Sequence, residues 1–133
     1  MAISCANLYL DVASQLGEGV GNTRLANGFV RALNRALSEL GVKADKASNF
    51  GSIASTDDTI SDLNEKYEYI IYAGVMFNLI RMGHRPSDPK LATVVYEDSR
   101  KAWNDGKADY IVDLDNVIQS DADNDVIGLG SLE

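Results

Sequence analysis

His84 is the only histidine in this chain of 133 residues, and Cys5 is the only cysteine. A metal site with two histidines, a serine–histidine or cysteine–histidine pair built from more than His84, and an intramolecular disulfide are therefore excluded within one chain. His84 falls between Gly83 and Arg85 in a turn, which reads as a surface or helix-end residue. Cys5 opens an apolar segment and reads as a small buried hydrophobe. Gly17, Gly19 and Gly21 do not make a phosphate-cradling loop, because Asn22 stands where the third glycine belongs and no strand precedes them. Asp121, Asp123 and Asp125 start like a calcium loop, but the sixth and twelfth positions are Val126 and Leu132 in place of glycine and glutamate. That stretch reads as a solvated acidic segment. No metal or cofactor is expected.

Carboxylates offer one more arrangement. Glu65 and Glu68 are spaced to share a helix face, and Glu97 and Asp98 lie on the next helical segment. Helical nucleotide pyrophosphohydrolases bind magnesium through a Glu-x-x-Glu helix paired with a Glu-x-x-Asp helix. Here the residue three after Glu97 is Arg100, so the second half fails. The simpler reading is four acids on the outer face of a bundle. Arg81, Arg85 and Lys90 form a modest basic spot that can meet an acidic segment.

The elements that would position these residues are helices. Residues 4–16 carry Leu8, Val12 and Leu16 on one stripe, with Ser4 as cap. A second helix starts at Asn22 or Thr23 and runs through Leu25, Phe29, Leu33, Leu37 and Leu40, with Gly41 placed to stop it. Residues 42–56 read as a loop of about 15 residues, long for a compact domain, anchored by Phe50 and Ile53. A third helix is expected from Thr56–Asp58, through Ile60, Leu63, Tyr67, Ile70, Gly74 and Phe77 to Arg81. Its broad apolar surface makes it the central helix, with Gly74 admitting a close neighbour. Asp88 and Pro89 form a good start for a fourth helix, with Leu91, Val94, Val95, Ala102 and Trp103 inside and Gly106 ending it. The fold class is all-α: an antiparallel bundle of about four helices in residues 1–106, followed by an extended C-terminal arm.

That arm, residues 107–133, holds seven acids against Lys107 alone, whereas the remaining 13 acids and 11 bases of the chain nearly balance. A basic face for nucleic acid is not apparent, and a partner with a basic groove is compatible. Tyr110, Val112 and Leu114 alternate with Ile111 and Asp113, as in a strand that adds to a neighbour, and Val117 and Ile118 follow. Residues 120–125 read as flexible. The N-terminus shows no secretory pattern, and the apolar run from Tyr69 to Ile80 is too short to cross a bilayer. A soluble protein made in a cytoplasm is expected.

The order of parts resembles a bacteriophage head-to-tail connector, the small adaptor that docks under the portal ring. The likeness is carried by the first helix from Leu8 to Leu16, and by the second from Leu25 to Leu40 with Leu33-Asn34 followed by Ala36-Leu37. It continues in the long loop leading into Asp62-Leu63-Asn64-Glu65-Lys66-Tyr67, then Asp88-Pro89 with a fourth helix ending in Trp103 and the tail beyond. The resemblance implies a structural virion protein without catalysis, assembled as a homo-oligomeric ring, twelve-membered in the family. Its partners would be the portal ring and tail or neck proteins. The contacts would fall on Tyr110, Ile111, Val112, Leu114, Val117 and Ile118 of the arm, on Phe50 and Ile53 of the loop, and on Arg81 and Arg85. Other readings are a tail-completion or terminator protein, the magnesium-dependent pyrophosphohydrolase, and a cytosolic acidic binding module.

Overall fold

The computed structural model describes residues 3–19, 21–43, 53–60, 63, 65–84, 86 and 88–130, with backbone alone for residues 42–43 and 114–130. The first helix, α1, spans Cys5–Leu16 and buries Leu8, Val12 and Leu16 as its apolar spacing requires. Ser4 Oγ accepts a hydrogen bond from the Asn7 amide at 3.3 Å and caps the start. Gly17 closes the end with φ +72°, a conformation other residues rarely adopt. The amides of Gly17 and Glu18 bond back to the Ser14 and Ala13 carbonyls, which satisfies the last turn.

Helix α2 spans Thr23–Lys43. Asn22 is its cap, accepting from the Leu25 amide through Oδ1 at 3.2 Å. Leu25, Phe29, Leu33, Leu37 and Leu40 are all fully buried. The expected stop at Gly41 is corrected: the helix runs to Lys43. A glycine in a helix costs only about 1 kcal/mol against alanine, which does not end a helix whose preceding turns are held by burial.

The expected start of the third helix is also displaced. Thr59–Ile60 forms a short strand, β2, antiparallel to a strand β1 at Ile3–Ser4, with Ile3 opposite Ile60. Asp58 explains the change. Its carboxylate accepts the amides of Ala54 and Ser55 at 2.7 and 3.1 Å, and its carbonyl accepts the Cys5 amide at 3.0 Å. This acid, expected at the start of the third helix, closes a turn instead. Ile60, Leu63 and Tyr67 are still buried, Ile60 in β2 and Tyr67 in a 3-10 turn at Glu65–Tyr67. Helix α3 proper spans Glu68–Arg81.

Asn34, part-way along α2, binds the same loop by both ends of its amide. Its Nδ2 donates to the Ile53 carbonyl at 2.9 Å and its Oδ1 accepts the Ile53 amide at 2.7 Å. Replacing Asn34 with alanine strands both backbone groups next to buried Ile53. The expected loss is about 1–3 kcal/mol, with faster hydrogen exchange at the Ile53 amide as its local signature.

Helix α4 starts at Pro89 after the Asp88 cap, whose carboxylate accepts the Lys90 amide at 3.0 Å. It continues for 42 residues to Gly130. The expected stop at Gly106 and the strand-like reading of Tyr110–Leu114 are therefore corrected: the backbone of the arm is helical through residue 130. Gly106 is a crossing point: a Cβ there would lie 2.9 Å from Ile70 Cγ1. One turn later Tyr110 meets Tyr67 edge-to-face at 4.8 Å, and the Tyr67 hydroxyl donates to Asp113 at 3.3 Å. These contacts need helical spacing.

The four helices make a bundle with α3 at its centre, packed most extensively on α4 and α2 and also touching α1. Gly74 of α3 lies against Trp103 of α4, where a Cβ would come within 2.8 Å of the indole ring. The expected close neighbour is thus a side chain. Asn78, buried in α3, donates to the Ala32 carbonyl of α2 at 3.3 Å. Leu91, Val94 and Ala102 do not face inward as expected. Leu91 is 44% exposed and Val94 54% exposed, while Val95, Ser99, Trp103, Gly106 and Tyr110 form the inner stripe of α4.

Candidate functional site

The residues nominated from sequence separate into different environments. Tyr110 and Ile53 are buried within the chain, at 2% and 6% exposure. Their place in the core removes them as outward contacts. Ile111 is partly buried against the core, while Val112 is 56% exposed. Leu114, Val117 and Ile118 follow on the backbone of α4, and their side chains lie outside the described residues, as do Phe50 and Arg85 entirely. Arg81 is exposed and sits over the Phe77 ring at 5.1 Å, with Phe77 in turn 5.6 Å from Tyr96. Arg81 borders a cavity of about 690 Å³ between the end of α3 and the start of α4, walled by Ile80, Pro86, Pro89 and Ala92.

The carboxylates do not converge. Glu65 is exposed in the 3-10 turn, and Glu97 pairs with Arg100 at 2.8 Å on the outside of α4. Among the described residues no group of three metal-ligating side chains comes together. Asp121, Asp123 and Asp125 lie on helical backbone, which is not the geometry of a calcium loop. Cys5 is fully buried, and burial, followed by the charge of Asp58, pushes its thiol up to about 11. A nucleophilic thiol needs the opposite shift.

His84 is where the structure departs most from the surface reading. It is 4% exposed and rests on Gly28 of α2, where a Cβ would lie 2.6 Å from Nε2. Gly28 has no side chain because the imidazole occupies that space. Nδ1 has no hydrogen-bond partner among the described residues, and the nearest carboxylate oxygen, from Glu18, stands 3.8 Å away. That is beyond hydrogen-bond range. Burial first, then the positive charge of Arg24, hold His84 below its ordinary value of 6.5 despite the opposing pull of Glu18.

A depressed histidine value in the folded state gives stability that is fully present above 6.5 and is lost as the pH falls toward the folded value. The urea midpoint is expected to fall between pH 7.5 and 5.5, and His84→Gln is expected to flatten much of that fall. An equal slope in both proteins would show that the acid sensitivity lies elsewhere.

Sequence reasoning missed a furrow on the other side of α3. Tyr69, Tyr72, Ala73 and Met76 form its floor, with Gln15 of α1 on one wall and Val95 and Ala102 of α4 on the other. The available signal was the three–four spacing of Leu91, Val94, Asp98, Ala102, Asp105 and Asp109. It marks one flank of α4, beside the stripe that faces α3.

No helix among the described residues is long and apolar enough to cross a membrane. No protein-family model, curated protein or solved structure matches this chain.

Proposed function

We propose that this chain is a structural head-to-tail adaptor of a bacteriophage virion, joining a ring of its own copies to the portal. The observation that carries the reading is the length of α4. It has 42 residues against 14 in α3, the helix it packs on. At 1.5 Å per residue α4 spans roughly 63 Å, about three times the length of α3. A bundle with one helix continued far beyond its packing partner is suited to reach a neighbouring subunit. The acidic sequence of the continuation suits a basic surface there. The order of helices, loop and Asp88-Pro89 start adds the resemblance in sequence pattern. In this role the body supplies a rigid block, α4 supplies the reach, and no bond is made or broken.

The test is a truncation after Asp113, which keeps every side chain of the described core. The shortened protein is expected to retain a helical circular dichroism spectrum and the blue-shifted emission of buried Trp103, yet fail to join the portal ring. A truncated protein that still adds a collar to the portal would overturn this assignment of the reach.

A further inference from the structure

The furrow over α3 and the flank of α4 beside it have features that the adaptor reading does not use. Two depressions, of about 350 and 500 Å³, share Gln15, Tyr69 and Tyr72 and run together between α1 and α4. Tyr69 is 59% exposed, although α3 is otherwise the most buried helix. Leu91, Val94 and Val112 on α4 are 44%, 54% and 56% exposed. With Leu10, these make up the large exposed hydrophobics among the described residues. Of the five, Tyr69 lines the furrow, and Leu91, Val94 and Val112 fall by their spacing on the flank of α4 that carries Asp98 and Ala102 to it, where a protein surface normally scatters such residues.

The spacing along α4 gives the shape of the missing occupant. Leu91, Val94, Asp98, Ala102, Asp105, Asp109 and Val112 follow one another at intervals of three and four. This is the seam that one helix offers to another. Small Ala102 and Ala73 leave room at the middle of the furrow, and Tyr69 and Tyr72 offer aromatic surface with hydroxyls at its edge.

Charge narrows the occupant further. Asp11, Glu68 and Asp98 line the two depressions, and no lysine or arginine does. Asp109 and Asp113 stand close enough to Tyr69 to add to the effect of its burial in raising its hydroxyl above the ordinary range. Asp105 continues the acidic row and is held at 2.7 Å by Lys101 of the same helix. An occupant must bring apolar side chains for the floor and cations for the walls.

Neither the α4 flank itself, residues 114–133 nor the exposed face of α2 offers such a segment. Two copies meeting by the same α4 flank would oppose Asp98, Asp105 and Asp109 to one another. Residues 114–133 contain no lysine or arginine at all, so they repeat the charge of the furrow. Arg24, Arg31 and Arg35 share an exposed face of α2, but Asn27 and Ser38 stand beside them and no large exposed apolar residue does.

We propose that the furrow between α1 and α4 is a docking groove for a cationic amphipathic helix of a second protein, which would pack as a fifth helix of the bundle. Its apolar face covers Tyr69, Tyr72 and Ala102, and its lysines or arginines meet Asp11, Glu68, Asp98 and Asp109. This is the helix-in-groove mode of recognition. It rests on the furrow and not on the adaptor reading.

The experiment uses the full-length chain, isotopically labelled for amide NMR. The probe is a synthetic leucine–lysine peptide of roughly 18 residues, long enough to become helical, with leucines at three–four spacing. The controls are a lysine–serine peptide of equal charge and a leucine–glutamate peptide. The leucine–lysine peptide is expected to bind saturably, one per chain, with shifts confined to the facing turns of α1, α3 and α4. Ala102→Arg changes an exposed position, so it should leave the circular dichroism spectrum intact, and it is expected to weaken binding at least about tenfold. Asp98→Lys is expected to weaken it comparably. Equal binding of the lysine–serine peptide would reduce the effect to net charge and overturn the proposal. Shifts centred outside the furrow, or unchanged affinity in Ala102→Arg, would do the same. Self-association of the chain that Ala102→Arg abolishes would assign the groove to a second copy and also overturn it.

Discussion

Replacing Trp103 with alanine is expected to cost about 3–5 kcal/mol, the range for losing a large buried aromatic side chain. That is a large share of the total stability of a domain this size, about 5–15 kcal/mol. Trp103 is 1% exposed and lies on the seam where α3 and α4 pack. Its ring covers Gly74, its Nε1 donates to Glu39 of α2 at 3.2 Å, and the Lys107 ammonium stands 4.9 Å from the ring centre. One side chain therefore joins three helices. Alanine leaves a cavity that Gly74, with no side chain, cannot fill. Glu39 keeps its pairing with Lys107 at 2.5 Å, so the loss is mostly packing and not an uncompensated charge. Because Trp103 is the only tryptophan, the unfolding curve has to be followed by far-UV circular dichroism. A loss below about 1 kcal/mol would mean that the seam is not held by this residue.

Gly74→Ala tests the same seam from the other side, with two opposed effects. Helix propensity favours alanine by up to about 1 kcal/mol. Against that, the new methyl would sit 2.8 Å from Trp103 Cε3 and Cζ3, atoms of a rigid, buried ring. Overpacking of this kind costs about 1–3 kcal/mol, so the variant is expected to be less stable despite its better helix former. The combination with Trp103→Ala discriminates the cause. In that background the methyl enters vacated space, and Gly74→Ala is expected to turn neutral or stabilising. Urea unfolding of the four proteins gives the coupling directly. A stabilising Gly74→Ala in the otherwise unchanged chain would contradict the packing.

The same seam shows what could be read in the sequence and what could not. The cap at Ser4, the glycine end at Gly17, the Asp88-Pro89 start and the apolar stripe of α2 are local signals that depend on neighbours within one turn, and each marks a real boundary or face. Gly74 was legible as a place of close approach because a mid-helix glycine needs a reason. Gly106 was misleading for the same cause: it resembles a stop, but it serves as a crossing point with Ile70. The β1–β2 pair is hidden because Ile60, Leu63 and Tyr67 have helical spacing, and only the turn closed by Asp58 sets Thr59–Ile60 as a strand beside Ile3–Ser4. His84 was not legible as a buried residue. Nothing local links it to Gly28, 56 positions earlier, where the absent side chain makes its room. The furrow was missed because Leu91, Val94 and Ala102 were placed by apolarity alone, and a shift of part of a turn decides whether such residues face the core or its rim.

The central claim is that this bundle assembles with a portal through its long helix. It is tested most directly by negative-stain electron microscopy of the full-length protein alone and after mixing with the portal protein encoded in the same genome. The account predicts rings, or a collar of added density beneath the portal, absent when the chain is cut after Asp113. A monodisperse monomer that leaves the portal unchanged would contradict it.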